Sequence, residues 1–457
     1  MNPLRVDLDL VKKYNVPGPR YTSYPPATQF TSDFSIETMV EKIRANNESA
    51  RDLSLYFHLP FCRSLCWYCG CTTVTTTRQG QSGIYLGYLE KELAMIGRLL
   101  NPERNVVQIH FGGGTPTFLQ PDEIRALGMM IHSRFHVAPD AEAAVEIDPR
   151  ELTRDHLSAL RDIGFNRASI GVQDNDPVVQ NAVHRIQPFA LTRKVVDWIR
   201  AAGFSSLNID LIYGLPCQTP ASFRRTLDEV LQLRPDRFAV FNYAHVPWMK
   251  PGQRILEAES FPSPETKLEL LKLTVEKLTS DGYVYIGMDH FALADDELAV
   301  AQRTKMLQRN FQGYSTRAGA DIHAFGMSSI SQANGLYWQN FKELPAYYAA
   351  LDEGEFPIAK GYVLTADDLV RRRTIMRLMC DLELDYGDMS ALLGLDFTDY
   401  FDAELDSLDD LEADGLIIKT PAGLIVTDLG RLFIRNVAMR FDAYLTSRTQ
   451  SRFSRTV

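Results

Sequence analysis

The chain has 457 residues, 45% hydrophobic and 23% charged, an ordinary globular composition long enough to bury a large core without disulfides. Its net charge of −10 argues against general nucleic-acid affinity, and six cysteines in the whole chain exclude a disulfide-rich secreted scaffold. The N-terminus lacks an apolar h-region and no run of about eighteen apolar residues occurs, so the expectation is a soluble, cytoplasmic protein with no signal peptide and no membrane span.

Residues 1–50 carry "PGPRYTSYPPA" (17–27), too rich in proline for a helix or a central strand. They are expected to form an arm lying across the next unit. From 51 to 243 one pattern repeats: a short apolar run, a turn, an amphipathic helix, a turn. The predicted strands are 53–59, 106–111, 143–147, 167–172, 206–212 and 237–243. Helical stretches lie near 82–100, 121–134, 153–163, 188–202 and 220–233. Two of them end in Gly-aromatic steps, "DIGF" and "AAGF", where glycine supplies a left-handed cap. Strands alternating with helices predict a parallel sheet with right-handed crossovers. Six units suit an open doubly wound sheet or a partial barrel, and the partial barrel is preferred. In either, the functional face lies at the C-terminal ends of the strands.

Unusual residues follow nearly every predicted strand. "FCRSLCWYCGC" (61–71) follows the first and holds four of the six cysteines. "GGGTPT" follows the second, "EIDPRE" closes the third, "GVQD" the fourth, "IDLIYGLP" the fifth and "NYAHVP" the sixth. Residues 283–361 continue this half of the chain, with loops rich in His, Arg and aromatics. From 362 a helical domain follows, and its end, helices leading into strand–turn–strand and then a helix (411–442), resembles a winged helix. Residues 381–415 hold thirteen Asp or Glu and no Lys or Arg, which repels phosphate. The domain reads as a lid or packing module.

The cluster is C-x3-C-x2-C-x-C: Cys62, Cys66, Cys69, Cys71. A structural zinc site wants four ligands, usually as two separated pairs, and the next cysteine is Cys217. A redox C-x-x-C would use Cys66 and Cys69 and leave Cys62 unexplained. Three cysteines at 0, +4 and +7 can hold three irons of a cubane and leave the fourth open. The "GGG" run is not a phosphate-binding Walker loop, since no Gly-Lys-Ser/Thr follows, nor a dinucleotide fingerprint.

This spacing after the first strand of a (βα) repeat resembles the radical S-adenosylmethionine (SAM) enzymes. The resemblance implies an α/β fold: a partial (βα)6 radical SAM barrel over 51–361, with the N-terminal arm and a mostly helical, winged-helix-like C-terminal domain over 362–457. It also implies a [4Fe-4S] cluster on Cys62, Cys66 and Cys69, whose open iron chelates SAM and breaks it to methionine and a 5′-deoxyadenosyl radical. "PGPRYTSYP", "YFHLPFC", "HFGGGTPT", "EIDPRE", "GVQD", "NIDLIYGLP", "FNYAHVP", "GMDHFA" and "RNFQGY" run in order over nearly the whole chain. Together they look like the oxygen-independent coproporphyrinogen III oxidase family of heme biosynthesis. Its reaction turns two propionates of coproporphyrinogen III into vinyl groups, giving protoporphyrinogen IX.

By that resemblance two SAM molecules are bound. Tyr56, Tyr68 (where Phe is usual), Gly112, Glu146 and Ile330 would contact the first. Gly113, Gly114, Gln173, Arg185, Asp210 and Ala244 would contact the second. The glycines would let backbone approach SAM where side chains would block it, and Arg185 would pair with a carboxylate. Cys71 is expected in an auxiliary catalytic or structural role, with Arg20 and Tyr24 as further catalytic candidates. Arg20, Tyr21, Tyr24, Lys250, Arg309, Gln312 and Tyr314 are candidates for holding the tetrapyrrole. His58, His110, His245 and His290 read more simply as satisfied polar histidines, and Glu146 could simply pair with Arg150. An electron donor and an electron acceptor are implied. No nucleic acid or membrane partner is expected, and the absence of a coiled coil or repeat favours a monomer. The rival class is a non-enzymatic heme-binding chaperone. Those relatives generally lack the "PGPRYTSYP" arm and the cysteine two residues past the third ligand, and this chain has both.

Overall fold

The computed structural model describes residues 3–48, 51–78, 80–445 and 453–456. Six strands run parallel and adjacent in sequence order: β1 (Leu53–Leu59), β2 (Asn105–Gly113), β3 (His136–Ile147), β4 (Arg167–Gln173), β5 (Ser206–Tyr213) and β6 (Arg237–Asn242). Helices Gln81–Gly97, Pro121–His132, Arg154–Asp162, Phe189–Ala201 and Pro220–Gln232 connect them. Each matches a predicted element to within a few residues, except that β3 begins seven residues before the predicted 143–147. Gly164 and Gly203 sit at φ +94° and +80° just past two of these helices, the left-handed caps read from the Gly-aromatic steps.

The sheet is wider than expected. Residues 283–363, read as loops beyond the sixth strand, supply β7 (Tyr283–Gly287), β8 (His290–Leu293), β9 (Asp321–Phe325), β10 (Ile330–Ala333), β11 (Leu336–Asn340) and β12 (Ile358–Val363). The full order is β12-β11-β10-β9-β1-β2-β3-β4-β5-β6-β8-β7. β9 lies parallel to β1, and β8 antiparallel to β6. These runs are short and mixed with polar residues, so their period is weaker than that of the six crossover strands.

Side-chain alternation along β3 to β5 separates two faces. Val145, Ile147, Ala168, Ile170, Val172, Leu207, Ile209 and Leu211 are buried, while Glu142, Ala144, Glu146, Arg167, Ser169, Gly171, Asn208 and Asp210 line a large cleft. Strands buried on both faces read as nearly continuous apolar runs. Here the period of two survives because one face is a polar cleft wall.

The C-terminal module opens with a helix, Ala366–Asp381, followed by strand Glu383–Asp385, short helices to Ala413, and the hairpin Ile417–Thr420 with Gly423–Val426. These three strands form one sheet with the last in the middle, in winged-helix order. The arm contains two helices that were not anticipated, Leu8–Tyr14 and Ile36–Ala45, and the proline-rich stretch between them stays irregular. Asp7 and Ser35 cap the two helices through their side chains. One continuous apolar core joins arm, barrel and C-terminal module, with Val11 and Tyr24, Phe57 and Phe111, and Phe433 and Phe441 all belonging to it.

Candidate active site

The cysteine loop leaves the C-terminal end of β1. Phe61–Cys62 pairs in parallel with Val74–Thr75 and closes it at the base. Leu59 and Phe61 carbonyls accept from Gly114 and Thr115 N–H, both at 2.8 Å, so the loop is stitched to the glycine run after β2. Further out, Trp67 N–H donates to the Val183 carbonyl, the Gln253 amide to the Tyr68 carbonyl, and Lys250 to the Cys71 carbonyl at 2.8 Å. Lys250, a candidate for the substrate, is thus occupied as a staple of the loop.

All cysteines are free thiols; Cys66 is buried, Cys62 and Cys69 half-buried and Cys71 exposed. Arg150 and Arg185 each donate to Cys66 Sγ at 3.4 Å, and Thr115 lies 3.4 Å from Cys62 Sγ. Asp148 holds both guanidiniums, at 2.6 Å to Arg150 and 3.0 Å to Arg185. Burial pushes its carboxyl up, but the two arginines overcome this and lower it to about 2. Arg150 therefore pairs with Asp148 and not, as the simpler sequence reading allowed, with Glu146. A hydrogen bond from the Cys71 thiol lowers the Cys69 thiol. Two cations against one sulfur and a hydrogen-bonded second suit an anionic group held by thiolates.

Among the described residues no three His, Cys, Asp or Glu side chains group as ligands of one metal ion. Cys62, Cys66 and Cys69 are instead spread along the wall of a cleft of about 780 Å3. Such spacing suits a multi-atom cluster, and the residues present fit a cubane held on three thiolates.

Glu146, at the end of β3, accepts from Gly113 N–H at 3.1 Å and from His110 at 3.2 Å. Burial raises its carboxyl, but the His110 and Gly113 contacts outweigh it and the net shift is downward. Tyr56 stacks on His110, centroids 5.7 Å apart, and its hydroxyl lies 3.2 Å from His58 Nδ1. Asp210, in the middle of β5 and not at its end, accepts from Ser169 and Asn208, and burial with the nearby Glu146 charge lifts it to about 7. Tyr68, Gln173, Arg185 and Ala244 line the same cleft. Gln173 adopts φ +68° at the end of β4, a conformation a non-glycine residue takes only when held there. The Gln173 Oε1, Arg185 Nε, Asn242 Oδ1 and Gln312 Nε2 atoms are buried on the cleft wall with no partner among the described residues, which a polar ligand would satisfy.

The glycines have a reason inside the protein. A Cβ on Gly112 would lie 2.9 Å from the Glu146 carboxylate. On Gly113 (φ +112°) it would lie 2.5 Å from the His58 ring, and on Gly114 2.5 Å from Pro60 backbone. Close packing of β1, β2 and the cysteine loop requires them, with or without a ligand.

Other candidates lie elsewhere. Ile330 packs with Phe30, Tyr337 and Leu364 in a separate apolar cluster and does not line the cleft. Tyr21 and Tyr24 are fully buried where the arm meets the C-terminal module: Tyr21 donates to Asp442, and the Tyr24 hydroxyl accepts from Ala443 N–H. Arg20 pairs with Asp289 in the β7–β8 turn. His290, Gln312 and Tyr314 line the cleft, whereas Arg20 and Arg309 do not, and the Arg309 guanidinium lies 4.7 Å over the Tyr314 ring. The four histidines have ordinary partners: Thr72 for His58, Glu146 for His110, Tyr243 for His245 and the Met288 carbonyl for His290. The sequence reading missed Asp148, Arg150 and Thr115 as supports of the cysteines. Only the position of "EIDPRE" and "GGGT" at strand ends could have signalled them.

The Radical SAM superfamily pattern matches residues 56–230, and that of the HemN C-terminal domain residues 364–433. Oxygen-independent coproporphyrinogen III oxidase of Synechocystis is 47% identical over 454 residues, spanning 98% of this chain and 97% of the relative. The protein of the same name from Pseudomonas aeruginosa is 45% identical over the whole length of both chains. A solved structure of coproporphyrinogen III oxidase (HemN) from Escherichia coli, described as a radical SAM enzyme, superposes with a TM-score of 0.92 at 44% identity. That match covers 97% of this chain and 100% of the other.

Proposed function

The chain belongs to the oxygen-independent coproporphyrinogen III oxidase family of radical SAM enzymes, and from this we propose that it oxidatively decarboxylates coproporphyrinogen III to protoporphyrinogen IX in heme biosynthesis. The observation that carries the reading is the three-cysteine loop opening into a cleft whose walls are polar on every strand from β2 to β6. The cofactors are a [4Fe-4S] cluster and SAM, and when bound they supply a carbon-centred radical that takes a hydrogen atom from a propionate β-carbon. Loss of CO2 and of one further electron then leaves the vinyl group. The reading requires a separate electron donor and acceptor, and takes the protein to act as a cytoplasmic monomer.

In this reading Cys62, Cys66 and Cys69 hold the irons, and the Asp148 pair keeps Arg150 and Arg185 against Cys66 to offset the charge. Tyr56, Tyr68, Gly112 and Glu146 orient one SAM, and Ile330, packed outside the cleft, has no part in it. Gly113, Gly114, Gln173, Arg185, Asp210 and Ala244 take the second, whose ammonium and carboxylate suit Asp210 and Arg185. Cys71 stands next to the ligands as an auxiliary group, and the arm with Arg20 and Tyr24 closes the tetrapyrrole end. The arm (1–50), barrel (51–361) and C-terminal module (362–457) act as one unit around the cleft. Among the described residues no helix is long and apolar enough to cross a membrane.

The test is an anaerobic assay of the iron-reconstituted protein with SAM, a reductant and coproporphyrinogen III. Methionine, CO2 and protoporphyrinogen IX are expected from the wild type and none from Cys66→Ala. Absence of CO2 from the wild type, or equal CO2 from both, overturns the reading.

A further inference from the structure

Four distant segments bring charge to one place beside the β7–β8 turn. Arg20 comes from the arm, Asp289 from the β7–β8 turn, Arg309 from the short hairpin Gln308–Asn310 with Gly313–Ser315, and Arg435 from the C-terminal module. Arg20 pairs with Asp289, and its carbonyl accepts from Arg309 Nε and Nη2 at 3.4 and 3.3 Å. Arg435 is spent on backbone carbonyls of Gly18, Pro19 and Arg455. The guanidiniums repel one another: burial lowers Arg435 to about 10 and also lowers Arg309, and in each case the Arg20 charge lowers it further. Three cations therefore face one carboxylate.

Arg309 Nη1 is buried and has no partner among the described residues, in a residue only 6% exposed. Burying a charge without its counter-charge is expensive unless something else completes the site. Arg20 keeps 37% of its side chain accessible, and its electrostatic neighbours Tyr213 and Tyr285 stand on β5 and β7. Arg20, Asp289, Arg309 and Arg435 do not line the cleft themselves, and the group borders it through two neighbours. His290 follows Asp289 directly, and Tyr314 carries Arg309 on its ring; both line the cleft, beside Gln312 whose Nε2 is unpartnered. The turn that presents Asp289 has Met288 and Asp289 at φ +45° and +75°. Two left-handed residues suit a tight hairpin, but glycine or asparagine usually takes the first of them.

We propose that Arg20 and Arg309 form a carboxylate seat that anchors a propionate of the tetrapyrrole other than the one being oxidised. The inference rests on the substrate class given above. A carboxylate there replaces the missing counter-charge and makes charge-assisted bonds to Arg20 and Arg309. The bonds of Arg20, Asp289 and Arg309 run to one another and to the arm, and not to the cysteine loop, so a tetrapyrrole anchored here offers a different propionate to the cysteine end.

The test is equilibrium binding of coproporphyrin III, the fluorescent oxidised tetracarboxylate, and of its tetramethyl ester, to protein without iron and to reconstituted protein. The wild type is expected to prefer the acid. Arg309→Gln and Arg20→Gln should each weaken the acid by about tenfold to a hundredfold and leave the ester unchanged, with Arg309→Lys recovering part of the loss. Asp289→Asn separates anchoring from mere support: it removes the competing carboxylate and should hold or tighten acid binding. If it loosens binding as much as Arg20→Gln does, Arg20 serves only its pair with Asp289 and the proposal fails. Unchanged acid affinity in folded Arg309→Gln, checked by thermal unfolding, also overturns it. A wild type that binds the acid but yields no CO2 would overturn the catalytic reading and leave the seat standing.

Discussion

The cysteine end of the cleft and the arginine end of the molecule are built in opposite ways. At the cysteine end, the ligands lie within ten residues of one loop, and their supports sit at the ends of neighbouring strands: Thr115 after β2, Asp148 and Arg150 after β3. At the arginine end, Arg20, Asp289, Arg309 and Arg435 come from positions separated by more than four hundred residues and meet only when arm and C-terminal module close on the barrel. The first end is local chemistry on a rigid scaffold. The second is an assembly, and its geometry depends on tertiary packing.

The largest effects come from crossing the two ends. Cys66→Ala should abolish iron retention and CO2 release altogether, as read by iron and sulfide content and the visible absorption of the cluster, yet bind coproporphyrin III like the wild type. Arg309→Gln should do the reverse, keeping iron and losing the porphyrin. If Cys66→Ala also loses the porphyrin, the two ends are one cooperative site and the contrast between them fails.

Next in size is Gly114→Ala. A Cβ there meets Pro60 backbone at 2.5 Å, and backbone cannot rotate away as a side chain can. Overpacking of this kind costs about 3 kcal/mol, to be read from the denaturation midpoint. Because Gly114 N–H also ties the loop to Leu59, iron retention should fall with stability. Loss of iron at full stability would mean that the glycine serves a ligand and not the packing.

The same contrast explains what could be read in the sequence. The six crossover strands and five helices were legible because their periods are strong and their caps local, and the cysteine loop because its ligands are close in sequence. The edge strands β7 to β12 were hidden by short, polar-interrupted runs. Arg435 carries no sequence signal at all; its meaning lies in carbonyls of residues 18, 19 and 455. Tyr24 and Ile330 looked like site residues through family resemblance, and the structure places both in packing against other elements.

Acid sharpens the comparison further, through His323. It stands on β9 opposite Leu55 of β1, the strand that launches the cysteine loop. It is 1% exposed, with neither ring nitrogen partnered among the described residues, and burial lowers it to about 4. Unfolded, it takes up a proton near pH 6.5; folded, only near pH 4. The unfolded chain therefore binds more protons between those values, and stability is lost as pH falls from about 6.5 to about 4. A shift of this size is worth up to about 3 kcal/mol. His323→Phe should flatten that part of the stability–pH curve, measured by chemical denaturation. An unchanged slope would show that other groups carry the acid lability of the β1 side.

The smallest effect tests how the assembled end is held. The Tyr24 hydroxyl accepts from Ala443 N–H at 3.0 Å, and its ring meets Tyr444 edge-on at 5.9 Å. Tyr24→Phe keeps the ring and its burial but leaves a backbone N–H without its acceptor, which costs about 1 kcal/mol. The arm carrying Tyr24 also carries Arg20. Loosening it should therefore weaken coproporphyrin III binding a few-fold through Arg20, while iron content and the cluster spectrum stay at wild-type levels. A catalytic role for the hydroxyl predicts something different: normal binding and stability with a lower rate of CO2 release. Measuring affinity, iron content and rate on this one variant distinguishes a residue that positions the arm from one that takes part in the reaction.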